Sequence, residues 1–310
     1  MSTGTSQLEP ERLTPTGHRS LKVKGDNARK RQRKDVIVKV LLTIVMILAS
    51  IPILLIIVEV ARRGAAVISW EFLTQEEPPP RREGGGYAAG FVGTFIIVSW
   101  ATVVAVPIGI LAAVYLVEYG KGLMAGVIRF FTDVMTGIPS VFIGLAVYAI
   151  IVIGSGQRFT FGAFPAAVAI GIIMLPIVVR ASEEMLKTVP DDLRAGSYAM
   201  GARRWQTITK VVLPAAAPGL STASMLAVAR GTGETAPLIL TAFGNVFVIW
   251  TLFNQPIGAL PLQIYNGARQ PFAPGIERAW GGALALLIIV LVLTVLARWI
   301  GSKAKLGERH

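Results

Sequence analysis

Apolar positions in this chain fall in runs of about 20 residues, not as helical stripes or as strand-like alternation, and that run length matches the hydrocarbon thickness of a bilayer. The first run, Val36 to Val58, follows a polar, basic segment (residues 1–35) with no apolar periodicity, which is expected to be a disordered tail on the cytoplasmic side. The run starts too late and is too long for a signal-peptide core, so it reads as a retained anchor. Glu59 to Gly90 is an outside loop broken by Pro78, Pro79, Pro80, Gly84, Gly85 and Gly86, in which Trp70 and Phe72 are candidates for an interfacial turn.

Five further spans follow. The second runs from about Phe91 to Val117 and carries Pro107; the third runs from about Val127 to Ile153 through Asp133 and the sequence Gly-Ile-Pro-Ser (Gly137 to Ser140). A Gly-Ile-Pro break at membrane depth needs neighbouring protein or a cavity to satisfy the freed backbone, so this region should face a partner helix. The fourth span runs from about Ala163 to Val179 with Pro176 and ends at Arg180, the fifth from about Ala215 to Thr241, and the sixth from about Ala279 to Ile300. A Pro- and Gly-rich outside loop, Phe243 to Arg278, separates the last two. The expected domains are the tail 1–35, one six-helix membrane domain at 36–300, and a basic tail at 301–310. Six crossings return both ends to the cytoplasm, as the positive-inside rule asks of two basic termini.

The net charge of +12 resides mainly in the tails and the central polar segment, so it fits the positive-inside topology of a chain embedded in membrane lipid instead of binding to nucleic acid or to an anionic membrane surface. There is no cysteine, and the two histidines, His18 and His310, lie in the tails, which argues against a metal or haem cofactor. Neither a phosphate-cradling G-x-x-x-x-G-K-[ST] loop nor a G-x-G-x-x-G turn is present. Any nucleotide energy must be supplied by another chain.

Between the fourth and fifth spans lies a polar segment (182–214) with the signals of ordered helix. Thr188 is a candidate cap for a helix starting near Pro190, with Asp191 and Asp192 on its positive dipole end, and that helix should run to about Met200. Gly201 permits a left-handed turn, after which Arg203 to Gln206 opens a second short helix that should stop near Pro214. The expected product is a helical hairpin on the inner face, either a cover packed on its own membrane domain or a docking knob for a soluble partner.

This hairpin resembles the EAA loop of ABC-importer permeases, in which Glu-Ala-Ala, three residues and Gly are followed after nine residues by Ile-x-Leu-Pro. Gly201 is the matching glycine and Val211, Val212, Leu213 and Pro214 the matching end, whereas Ala195, Gly196 and Ser197 occupy the Glu-Ala-Ala positions and lack the acidic residue. Gly137 to Gly144, Leu175 to Arg180, Ala229 to Pro237, Asn254 to Ile257, Leu260 and Arg278 further resemble the A-type permease family of phosphate-specific (Pst) ABC transporters, over roughly residues 90–300. The resemblance implies an all-α type I (MetI-like) ABC importer permease in a prokaryotic inner membrane. It implies as partners a homologous C-type permease, two ATP-binding cassette subunits that hold ATP and Mg, a periplasmic phosphate-binding protein, and inorganic phosphate as substrate.

Arg230 and Glu234 stand four apart in an apolar segment, where an unpaired charge costs roughly 2.5–3.5 kcal/mol. One reading is a static pair on a helix. In the other, Arg230 offers its planar fork to an oxyanion while Glu234 keeps the binding weak enough for release. The resemblance associates both residues with transport, together with Arg180, which physics alone also allows as a snorkelling anchor. Thr232 and Thr235 are weaker pathway candidates, and Asp133 is expected near the inner boundary of its span. A permease for sulfate, molybdate or another small solute, a self-contained secondary transporter, a membrane enzyme and a regulatory scaffold remain alternatives.

Overall fold

In a computed structural model the described residues are 26–306, Lys121 and Gln157 apart, so His18, Arg309 and His310 lie outside them. Two compact units divide within the first helix, after Ile56. That helix, α1 (Asp26–Ala65), starts ten residues before the apolar run, so the basic stretch from Arg29 to Lys34, expected to be disordered, is helical. Arg, Lys and Gln are good helix formers, and a helix seeded by the apolar run extends readily into them.

The second unit holds the remaining elements. A five-residue helix α2 (Trp70–Thr74) is capped by Ser69, whose hydroxyl accepts from the Phe72 amide. Trp70 is exposed, but Phe72 is buried against Tyr87, so only the tryptophan is free to act as an interfacial anchor. Helix α3 (Ala88–Val114) runs straight through Pro107 and ends in a widened π turn, Tyr115–Tyr119. Helices α4 (Leu123–Gly137) and α5 (Ser140–Val147), the latter prolonged by a π turn at Tyr148–Ile153, meet at the Ile138-Pro139 break with a bend of 105°.

Helix α6 (Ala163–Lys187) is the central strut and packs against α3, α4, α5, α9 and α10. Its contact with α3 is lined by small residues: Ala101 and Ala105 meet Ala166, Ala167 and Ile170, and a Cβ on Gly109 would lie 2.6 Å from Val178. Close backbone approach of this kind is how membrane helices gain packing without a hydrophobic driving force. The expected end at Arg180 is too early by seven residues. Ser182 and Glu183 are buried in the continuing helix, where Glu183 accepts from Arg129 at 3.2 Å and from Lys187 at 3.1 Å. Paired charges extend a helix where unpaired ones would end it.

The hairpin follows as α7 (Asp191–Ala199) and α8 (Arg204–Thr207). Thr188 does not cap α7; its hydroxyl donates to the Met185 carbonyl and closes α6, while Pro190 holds the cap position. The second arm does not stop near Pro214 either. A π turn at Ile208–Val212 leads into α9 (Leu213–Thr232), with Pro214 in its first turn, where a missing amide is tolerated. The fifth span therefore runs from Arg204 to Thr232, not from Ala215 to Thr241, and the last residues of the expected span form a separate helix, α10 (Ala236–Thr241). Helix α11 (Leu260–Ala268) lies in the supposed outside loop, and α12 (Ala273–Leu306) is the last of the described helices. Among the described residues five helices are long and apolar enough to cross a membrane, and the bent α4–α5 pair, counted as one span, makes a sixth.

Candidate functional site

The α4–α5 break carries the site's geometry. Pro139 has no amide to donate, α5 begins without a side-chain cap, and the bend turns the two helices into two walls. A groove of about 560 Å³ opens there, lined by Thr136, Gly137, Pro139 and Ser140 at the break, by Ile173, Pro176 and Ile177 of α6, and by Arg230 of α9. The α5 wall is held by α10: Gly144 allows so close an approach that a Cβ would lie 2.6 Å from the Pro237 Cα.

Arg230 stands in the last turn of α9, whose final residues tighten at Gly233, the Gly233 amide reaching back to the Arg230 carbonyl. Glu234 lies beyond the helix end, so the pair is made across the end of α9 rather than along a continuous helix, yet its atoms still meet at 3.1 Å. The two sides differ in exposure: the Arg230 side chain is 63% exposed toward the groove, Glu234 only 12%. A mostly buried carboxylate therefore fixes a guanidinium that leaves donors free. Thr232 is buried and its hydroxyl donates to the Val228 carbonyl at 2.8 Å, ordinary intrahelical glue. Thr235 occupies the cap position of α10 without a side-chain cap bond.

Arg180, on α6, is bonded to Asp133 of α4. The pattern of apolar runs placed Asp133 only near a span boundary; what sequence reasoning missed is its partner, 47 residues away. Among the described residues no group of three or more His, Cys, Asp or Glu side chains is placed to hold a metal ion.

Ala195, Gly196 and Gly201 are exposed on the hairpin. Gly201 has φ +80°, a left-handed turn that disfavours any residue with a Cβ, and its amide returns to the Tyr198 carbonyl. The Ser197 and Thr207 hydroxyls are 2.9 Å apart and tie the two arms together. Leu213 and Pro214 lie in α9, outside the hairpin proper. The tip presents Leu193, Tyr198, Met200 and Trp205 to the surface. Its base is fixed by Arg194, which donates to Glu118 at 3.1 Å, to Asp191 at 3.0 Å, and to the carbonyls of Leu186 and Val189. Glu118 is buried in the π turn that ends α3, so one arginine joins α3, the end of α6 and α7. Arg204 lies 4.4 Å over the Tyr119 ring and adds a second link to that turn. Neither clamp was foreseeable, because its residues are distant in sequence and typical of surface helices.

Three comparisons bear on this arrangement. The family model described as binding-protein-dependent transport system inner membrane component matches residues 105–305. The phosphate transport system permease protein PstA of Yersinia pestis is 41% identical over 215 residues, 69% of this chain and 71% of that protein. PstA 1 of Mycobacterium tuberculosis (strain H37Rv) is 42% identical over 208 residues, 67% of each chain. A solved chain of the MetNI methionine ABC transporter matches with TM-score 0.52 at 21% identity, covering 71% of this chain and 94% of that one, a likeness of fold. With its broken third span, central strut and clamped hairpin, the chain belongs to the family of binding-protein-dependent transport system inner membrane components.

Proposed function

We propose that this chain is the A-type permease subunit of an ATP-driven importer of inorganic phosphate. The observation that carries the reading is a guanidinium fixed by a mostly buried carboxylate and aimed into a groove at a broken membrane helix, in a chain about 41–42% identical to PstA proteins. Such a group binds an oxyanion through charge-assisted hydrogen bonds, and its carboxylate partner keeps the affinity low enough for passage.

The exposed apolar tip around Gly201 is the docking surface for a separate ATP-binding cassette subunit, which holds the ATP and Mg. Arg194 and Glu118 carry its displacement into α3 and α6. The site at Ala195, Gly196 and Ser197 works by shape, since it has no acidic group to form an ion pair. A C-type permease supplies the facing half of the pore, a second cassette subunit docks on that permease, and a phosphate-binding protein delivers substrate on the periplasmic side. The basic residues at Arg31, Arg33 and Lys34 put the N-terminus in the cytoplasm, and an even number of crossings puts the C-terminus there too.

Reconstituted with these partners, the complex should take up radiolabelled phosphate only with ATP, and unlabelled phosphate should compete better than sulfate or molybdate. Arg230→Gln should cut uptake at least about tenfold while the partners still copurify. Wild-type uptake by that variant would remove Arg230 from the route; preferential competition by sulfate or molybdate would assign another oxyanion.

A further inference from the structure

Beyond the groove, toward the hairpin end of α6, the α6 and α4 sides each carry a charge. Along α6 the lining residues Pro176 and Ile177 are followed at i+4 and i+3 by Arg180, on the same helical face. Along α4 the lining residues Thr136 and Gly137 are preceded at the same spacings by Asp133. Arg180 Nη2 donates to Asp133 Oδ1, so the ion pair links the walls one turn past the groove. Its side chains are 45% and 57% exposed, so packing does not lock them, and so exposed a pair does little to hold two helices together. The same motif therefore occurs twice, once in the groove lining and once a turn past it: an arginine with donors to spare and a carboxylate that occupies part of its fork.

The two pairs differ in one respect. Glu234 is mostly buried, so it stays beside Arg230 whatever else arrives, whereas Asp133 is the more exposed member of its pair and is free to swing away. An arginine without a competitor would hold a multiply charged anion tightly and slow its release. Resting on the phosphate-permease reading above, we propose that Asp133 is the displaceable counter-ion of Arg180: the anion leaving Arg230 takes its place on Arg180, and its return expels the anion. Asp133 is thus a positioning residue that sets the release step.

The test is uptake of radiolabelled phosphate by the reconstituted complex. Asp133→Asn keeps the shape and removes the competing charge, and should lower the maximal rate about tenfold without raising KM. Asp133→Glu should retain most of the rate. Asp133→Asn combined with Arg180→Gln should be no slower than Arg180→Gln alone, because the aspartate acts through the arginine. Wild-type kinetics in Asp133→Asn, a rise in KM alone, or multiplicative losses in the double variant would overturn the proposal.

If Asp133→Asn reduces the yield of assembled complex, the reversed pair Asp133→Arg with Arg180→Asp decides. Assembly restored without uptake supports the proposal; uptake restored as well makes the pair a brace and refutes it, and so does failure to restore assembly. A wild-type complex that carries another oxyanion but not phosphate would overturn the substrate reading alone, and the same comparison is then made with that anion.

Discussion

Away from the hairpin, Glu77 of the loop after α2 is held against polar side chains of α11 and α12. It accepts from the Gln263 side-chain amide at 3.1 Å and lies near Arg278, whose guanidinium is buried and bonded to the Arg82 and Gly84 carbonyls. Burial raises the Glu77 carboxyl above its ordinary value of 4.5, with Arg278 only partly offsetting it. The fold therefore binds this proton more tightly than the unfolded chain does. The stabilisation is full below 4.5 and is lost as pH rises through the elevated value. Glu77→Gln should accordingly raise the apparent melting temperature of the purified complex at about pH 7, with the advantage over wild type shrinking as the pH is lowered toward the ordinary carboxyl range. A lower melting temperature at neutral pH would mean that the attraction of Arg278 outweighs burial. The sequence disclosed part of the residue chemistry. Arg230 and Glu234 stood out because charge is conspicuous in an apolar run, whereas Glu77 and Arg194 sit among other polar residues and Glu118 stands at the end of an apolar run, where a charge is ordinary, and burial leaves no local trace in composition.

Among the elements, the α5–α10 contact leaves no room for added side-chain volume. Gly144→Ala would put a methyl group 2.6 Å from the Pro237 Cα and 3.1 Å from its carbonyl oxygen, backbone atoms that cannot rotate away. The clash should cost about 1–3 kcal/mol, read as a lower melting temperature of the complex. Because α10 follows directly on Glu234, phosphate uptake should fall with it. Gly126→Ala, on α4 with open space around it, is the neutral comparison, and equal effects of the two would discount the contact. Helix existence was readable from the apolar runs and the break from Gly-Ile-Pro, because both are local properties. Helix ends were less so. Pro214 reads as a stop, yet a π turn absorbs it, and Glu183 reads as solvated, yet Arg129 on α4 buries it. For Glu183 the deciding partner lies elsewhere in the chain.

At the scale of the whole molecule, the groove is open on one side. Arg230 keeps exposed donors there, Arg180 does so one turn beyond, and the nearby α4–α5 surface exposes Phe130, Phe131, Val141, Phe142 and Leu145. Aromatic and aliphatic side chains beside free guanidinium groups suit a protein wall better than lipid, which offers no partner to a cation at depth. The proposed second permease should therefore cover α4 and α5, while α12, with Leu291 and Val295 exposed, meets lipid. The chain has no cysteine, so single substitutions report without background. Phe142→Cys and Leu145→Cys, paired with cysteines introduced in the second permease, should give cross-linked heterodimers in native membranes. Leu291→Cys should stay uncross-linked in the same membranes. The reverse pattern would place the pore on the α12 side, and Arg230 would then belong to a surface groove with no route across the membrane.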